Sequence, residues 1–144
     1  MKLTIFTPTY NREMTLKRLY KSLKSQKFKD FEWLIIDDGS DDQTENLINE
    51  FIRENVLDIK YHKQNNLGKQ ACWNKALDLS QGKLFCGVDS DDILEKDYLK
   101  VFFKYGVPDK YCLEMQGMEY VDCTGNKGLN HIIYPEIYLL GENV

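Results

Sequence analysis

Apolar positions along the first hundred residues recur in two alternating rhythms. Leu3 to Thr7 is a short apolar and β-branched run stopped by Pro8, the pattern of a buried strand ending in a turn. Leu16, Leu19, Tyr20 and Leu23 then return at helical spacing within a polar segment from about Arg12 to Gln26. The unit repeats. Phe31-Glu32-Trp33-Leu34-Ile35-Ile36 is a second apolar run, closed by Asp37-Asp38-Gly39-Ser40-Asp41-Asp42, and Leu47, Ile48, Phe51 and Ile52 mark a second amphipathic helix, capped by Asp42 or Asp41. A third strand is expected at Asp58 to His62, a third helix from about Lys69 to Leu79, and a fourth strand at Lys83 to Val88 after the Gln81-Gly82 stop. One more helix is expected over Tyr98 to Tyr105, broken by Val107-Pro108-Asp109. Strand and helix alternating in this way predict an α/β fold, a mostly parallel sheet flanked by helices. From Tyr111 to Val144 short apolar stretches, Ile132-Ile133-Tyr134 and Ile137-Tyr138-Leu139-Leu140, lack sustained periodicity and read as mixed strand and loop.

Composition narrows the picture. The chain has 144 residues, of which 42% are hydrophobic, enough to bury the core of one domain with little left for a second. With 23 acidic against 19 basic side chains the formal net charge is −4, which argues against nucleic acid as a partner. No apolar run approaches the ~18 residues of a spanning helix, and the N-terminal stretch is too short for a signal peptide. The expectation is a cytoplasmic chain without a transmembrane segment. Cys72, Cys86, Cys112 and Cys123 form no CxxC pair and His62 and His131 are the only histidines, so neither a zinc site nor a disulfide framework is signalled.

The polar residues gather at the carboxyl ends of the expected strands, where an open α/β sheet binds its ligands. The four ends carry Thr7-Pro8-Thr9-Tyr10-Asn11-Arg12, Asp37-Asp38-Gly39-Ser40-Asp41-Asp42, Gln64-Asn65-Asn66-Leu67-Gly68-Lys69 and Asp89-Ser90-Asp91-Asp92. In the last of these, three carboxylates within four residues repel one another unless a cation neutralises them. Oxygen ligands suit Mg²⁺ or Mn²⁺, which keep several waters and bridge to substrate phosphates. The competing reading is that Asp91 or Asp92 caps the next helix. A calcium loop fails, because alignment on Asp37, Asp38 or Asp89 leaves no Gly at the sixth position and no Glu at the twelfth. Asp37-Asp38 can accept from a ribose hydroxyl or a base N–H, Tyr10 offers a ring for stacking, and Lys69 at a helix start suits a phosphate. Pro8, Thr9 and Tyr10 stand where a dinucleotide fold needs glycines, which disfavours an NAD-type site. Cys72 and Trp73 read as core.

Together, Pro8-Thr9-Tyr10-Asn11-Arg12, Asp37-Asp38-Gly39-Ser40-x-Asp42, Asn66-x-Gly68-Lys69 with Asn74, and Asp89-Ser90-Asp91-Asp92 resemble the N-terminal half of a family 2 glycosyltransferase with the GT-A fold. The resemblance runs from about Lys2 to Lys100. It implies a nucleotide-diphosphate-sugar donor, UDP type foremost, transferred with inversion to a saccharide or lipid-linked acceptor in polysaccharide or glycoconjugate synthesis. It also implies that Pro8, Thr9, Tyr10, Asp38, Lys69 and Asp89 bind the donor, and that Asp91 and Asp92 hold a divalent metal, Mn²⁺ or Mg²⁺. Family members often carry an arginine before the asparagine of the third helix, where this chain has Trp73. The expected organisation is a donor-binding core over 1–106 and a truncated acceptor-side extension over 107–144 in the same domain. The general base is expected outside this chain, since Asp109, Glu114, Glu119, Asp122, Glu136 and Glu142 sit in no recognisable motif. Work at the inner face of the cytoplasmic membrane is the implied location. A non-catalytic module that keeps only the donor site is the alternative.

Overall fold

In the computed structural model the described residues are 3–105 and three short strands, 119–121, 127–129 and 137–139. Strands β1 (Leu3–Thr9), β2 (Phe31–Asp37), β3 (Asp58–Lys63) and β4 (Leu84–Gly87) alternate with helices α1 (Glu13–Ser25), α2 (Thr44–Glu54) and α3 (Lys69–Leu79), and α4 (Tyr98–Tyr105) follows. Beyond it lie β5 (Glu119–Val121), β6 (Lys127–Leu129) and β7 (Ile137–Leu139). The main sheet runs β3-β2-β1-β4-β7; its first four strands are parallel and β7 pairs antiparallel with β4, while β5 and β6 form a separate antiparallel pair. The chain steps outward from β1 through β2 to β3, then crosses back to place β4 on the other side of β1. That reversal of strand order opens a crevice at the carboxyl end of the sheet, between β1 and β4.

Alternation along the strands decides which helix each residue meets. Leu3 and Ile5 of β1, Phe31, Trp33 and Ile35 of β2, and Leu84 and Cys86 of β4 form one core with Leu16, Leu19, Tyr20 and Leu23 of α1 and Leu47, Ile48 and Phe51 of α2. Phe6, Leu34, Ile36 and Phe85 point the other way and meet Cys72, Trp73 and Ala76 of α3. Both faces of the sheet are therefore covered, as a parallel sheet requires. The indole of Trp33, fully buried, donates to the Thr7 hydroxyl at 2.9 Å, which satisfies two polar groups inside the first core.

Three sequence expectations shift. Helices α3 and α4 occupy their expected spans, but β1 runs through its expected stop at Pro8 and ends two residues past Thr7, at Thr9. The Phe6 carbonyl accepts from Val88 on the β4 side and the Thr9 carbonyl from Asp38 on the β2 side. Strand alternation then turns the nitrogen of Pro8 toward β4, whose ladder has already ended at the Phe6–Gly87 pair. Proline thus removes no bond from the β2 ladder, and it ends the pairing of β1 with β4 where the crevice begins. Helix α2 has Gln43 at its N-cap rather than an aspartate, although the Asp42 carboxylate still accepts from the Thr44 amide at 2.9 Å. Neither Asp91 nor Asp92 caps a helix, because α4 starts only at Tyr98. Of the C-terminal expectation, Ile137–Leu139 is a strand, whereas Ile132-Ile133-Tyr134, Asp109, Glu114, Asp122, Glu136 and Glu142 lie outside the described residues.

Candidate donor-binding site

The four strand-end clusters meet at the β1–β4 crevice. Pro8, Thr9, Tyr10, Arg12, Asp38, Lys69, Cys72, Asp89, Ser90 and Asp91 line a cleft of about 260 Å³ there. Every residue expected to bind a donor is in this lining, with Asp91 of the expected metal pair; Asp92 is adjacent in the chain but does not line it. A larger open hollow of about 420 Å³ is lined by Gly39, Lys63, Gln64, Asn65 and Asn66. It holds none of the acidic turn after β4, and Lys63 is already paired with Glu45 at 2.8 Å, so the smaller cleft is the chemically equipped one.

Beneath the cleft lies a buried hydrogen-bond network centred on Asp37. Asp37, buried to 0% exposure, accepts from the Ser40 amide (2.9 Å), the Ser40 hydroxyl (2.6 Å) and the Tyr61 hydroxyl (2.7 Å). The Ser40 oxygen in turn accepts from the amide of Asn11, whose own side-chain oxygen accepts from Asp41. Asn11 takes a φ of 51°, a left-handed conformation that asparagine tolerates, and so turns the chain sharply after Tyr10. The loops after β1 and β2 are thereby tied together.

Asp38 ties in the third loop. Its carboxylate accepts from Gln64 Nε2 (2.8 Å), the Leu67 amide (2.9 Å) and the Gly68 amide (2.8 Å). Burial acts to raise its pKa, and these bonds together outweigh burial and hold the carboxyl below the usual carboxylate range. Gly68, the N-cap of α3, has φ 89° and ψ 161°, a backbone region essentially reserved for glycine. It brings the loop back onto Asp38 and sends Lys69 toward β4. There the Lys69 ammonium sits 2.8 and 2.9 Å from the two oxygens of Asp89.

The other side of the cleft is less settled. Asp92 is half-buried, and burial followed by the charges of Asp89 and Asp91 raises its pKa. Thr9 is only 3% exposed, and its hydroxyl has no hydrogen-bond partner among the described residues. Leaving such a group unpaired costs free energy, which a ligand in the cleft would recover. Tyr10 stands at the rim, 47% exposed. Among the described residues no three histidine, cysteine or carboxylate side chains converge as a protein metal cage.

A model of glycosyl transferase family 2 matches residues 4–137. The chain belongs to glycosyl transferase family 2. This family 2 chain is 35% identical over 103 residues to the glycosyltransferase GlyA of Streptococcus pneumoniae, an alignment covering 72% of the chain and 15% of that protein. It is 29% identical to the poly(ribitol-phosphate) β-N-acetylglucosaminyltransferase TarS of Staphylococcus aureus, over 100% of the chain and 26% of TarS. The structure of TarS residues 1–349 in complex with UDP-GlcNAc superimposes with a TM-score of 0.65, covering 84% of this chain and 40% of that one. A mannosyltransferase of Pyrobaculum calidifontis, solved with GDP-mannose and Mn²⁺, is 20% identical with a TM-score of 0.70 over 74% of this chain and 32% of that one, a likeness of fold. The sheet and its helices are thus of the GT-A type. The family 2 chain spans well under half the length of each of these proteins.

Sequence reasoning left out several residues of the site. Arg12 and Ser90 lie inside recognised clusters and line the cleft, Cys72 was read only as core, and Gln64 and Tyr61 act on the paired aspartates. Cys72 is both: it is buried in the α3 core, and its thiol, pushed up to about 11 by burial and the Asp38 charge, stays protonated beside the cleft. Trp73 packs edge-on against Phe6, its ring serving the core as expected. Among the described residues no helix is long and apolar enough to cross a membrane.

Proposed function

We propose that this chain is the donor-binding part of a glycosyltransferase that moves a sugar from a nucleoside diphosphate, UDP foremost, to an acceptor hydroxyl. The convergence of Pro8, Thr9, Tyr10, Asp38, Lys69, Asp89 and Asp91 on one cleft carries this reading. Each has a task suited to its surroundings. The exposed ring of Tyr10 stacks on the base, and the unpaired Thr9 hydroxyl gains a partner in the nucleoside. Asp38, held ionised, serves as an acceptor for an N–H of the base, which favours bases that present one. Asp89 accepts from a ribose hydroxyl, and Lys69 supplies positive charge to the diphosphate. UDP as the nucleotide is consistent with the donor in the TarS structure.

The acidic turn after β4 fits a divalent cation. It sets three carboxylates within four residues, and burial followed by the charges of Asp89 and Asp91 raises the pKa of Asp92. That suits Mg²⁺ or Mn²⁺, which take one or two carboxylates, here Asp91 and Asp92, and complete their shell with water and phosphate. Such an ion would neutralise charge developing on the departing diphosphate. With Asp38 and Asp89 given to the nucleoside and Asp91 and Asp92 to the cation, we assign the base for an inverting transfer to a group outside this cleft. Relatives named for transfer to poly(ribitol-phosphate) and to an undecaprenol-linked glycan support a glycopolymer or lipid-linked acceptor.

Calorimetric titration with UDP, with and without Mn²⁺, is the test. UDP binding strengthened by Mn²⁺ and stripped of that metal dependence by Asp91→Ala is the expected result. Absence of UDP, TDP and GDP binding in the presence of metal overturns the donor assignment, and an unchanged metal effect in Asp91→Ala overturns the metal assignment.

A further inference from the structure

Lys69 is fixed at its root and free at its tip. Its backbone follows Gly68, whose amide is held by Asp38, while its side chain is 59% exposed and ends on Asp89. The ammonium spans both Asp89 oxygens, at 2.8 and 2.9 Å, so it occupies a carboxylate of the acidic turn in the way a small cation would. Both partners are well exposed, so the pair is weak and readily exchanged. Around it the turn retains two further carboxylates, Asp91 and Asp92.

We propose that Lys69 is an internal counter-ion that competes with a divalent cation for the acidic turn and is handed to the diphosphate when that cation arrives. The inference rests on the donor-site reading above and extends it to the order of events. A cation at Asp91 and Asp92 supplies the charge compensation Lys69 had been giving through Asp89. The four-carbon stem then lets the ammonium swing within the same cleft to a phosphate oxygen, while Gly68 and Asp38 keep its root in place. Cation and nucleotide thus strengthen each other's binding partly through one side chain, and that linkage is reciprocal.

The test titrates Mn²⁺ in the absence of nucleotide, following the free-ion EPR signal, and then UDP with and without Mn²⁺, in the wild type, Lys69→Met and Lys69→Arg. Removing the competitor in Lys69→Met is expected to tighten Mn²⁺ binding about two- to fivefold, the factor an exposed ion pair commands. The same variant is expected to weaken UDP binding and to shrink the factor by which Mn²⁺ assists it, and Lys69→Arg retains most of both wild-type properties. Unchanged or weaker Mn²⁺ binding by Lys69→Met overturns the proposal while the donor site stands. A wild type that binds neither Mn²⁺ nor UDP overturns the donor-site reading and this proposal with it.

Discussion

Two acidic turns of this chain, each at the end of a parallel strand and each rich in aspartate, are built on opposite principles. At the end of β2, Asp37 and Asp38 are 0% and 6% exposed and their two carboxylates accept six hydrogen bonds from the protein. At the end of β4, Asp91 is exposed, Asp92 is half-buried beside like charges, and Asp89 is paired with one exposed lysine. The first turn is a joint that sets the shape of three loops; the second is a concentration of unspent charge. A donor site needs both, since a nucleoside is read by fixed acceptors and a diphosphate is met by charge that can rearrange.

Breaking the joint has the largest expected effect. Asp37→Ala leaves the Ser40 amide and hydroxyl and the Tyr61 hydroxyl without their acceptor, for a loss of about 2–4 kcal/mol of folding stability, since each buried donor left unpaired costs ~1–3 kcal/mol and the part-buried Tyr61 hydroxyl regains water. Urea unfolding with an unchanged slope measures it. Asp91→Ala at the other turn is expected to stay within about 0.5 kcal/mol of the wild type, as an exposed site should. Equal losses at the two turns would erase the distinction.

The difference between Asp37 and Asp38 was only half legible in the sequence. Two adjacent aspartates look alike as letters, but strand alternation sends them to opposite faces. Asp37 follows Trp33 and Ile35 toward the α1–α2 side, where Tyr61 packs against the core, and Asp38 turns toward the loop leading into α3. The pattern therefore placed the residues at the right strand end without showing that one builds the joint and the other also faces the cleft. Pro8 misled for a related reason: a proline stops only the ladder its nitrogen faces, and which ladder that is depends on neighbours far away in sequence. Cys72 looked like core because burial and access to a cleft coexist on one helix face. Beyond Tyr105 the short apolar stretches carry no period, and the pairing of β7 with β4 is a long-range choice that no local window encodes.

Smaller than the loss of Asp37 is the effect expected at the hinge between the two turns. Gly68→Ala places a Cβ in open space, so its cost is backbone strain alone, about 1–3 kcal/mol for a side chain held at φ 89°. Either that strain appears as lost stability, or the loop relaxes and lets go of Asp38. Amide hydrogen exchange at Leu67 and Gly68 separates the two, and in the second case UDP binding weakens while global stability holds. A variant that keeps both stability and binding would show that the loop's path matters less than the Asp38 bonds imply.

The smallest effect is one of sign. Asp38 has a folded-state pKa below its unfolded value, so its ionised form contributes stability that is present above the ordinary carboxylate pKa of about 3.9 and lost as pH falls through the depressed value. Asp92 has a folded-state pKa above its unfolded value, so ionisation opposes folding; that penalty is complete above the raised pKa and disappears as pH falls toward the unfolded one. With a chelator present, Asp92→Asn is therefore expected to stabilise the chain slightly near pH 7, by no more than about 0.5 kcal/mol, and to lose that advantage below about pH 4. Asp38→Asn should do the reverse, costing more stability the further pH rises through the acid range. Thermal melts of both variants between pH 3 and 7 decide it, and slopes of the same sign would mean that the two turns do not differ in how they hold charge.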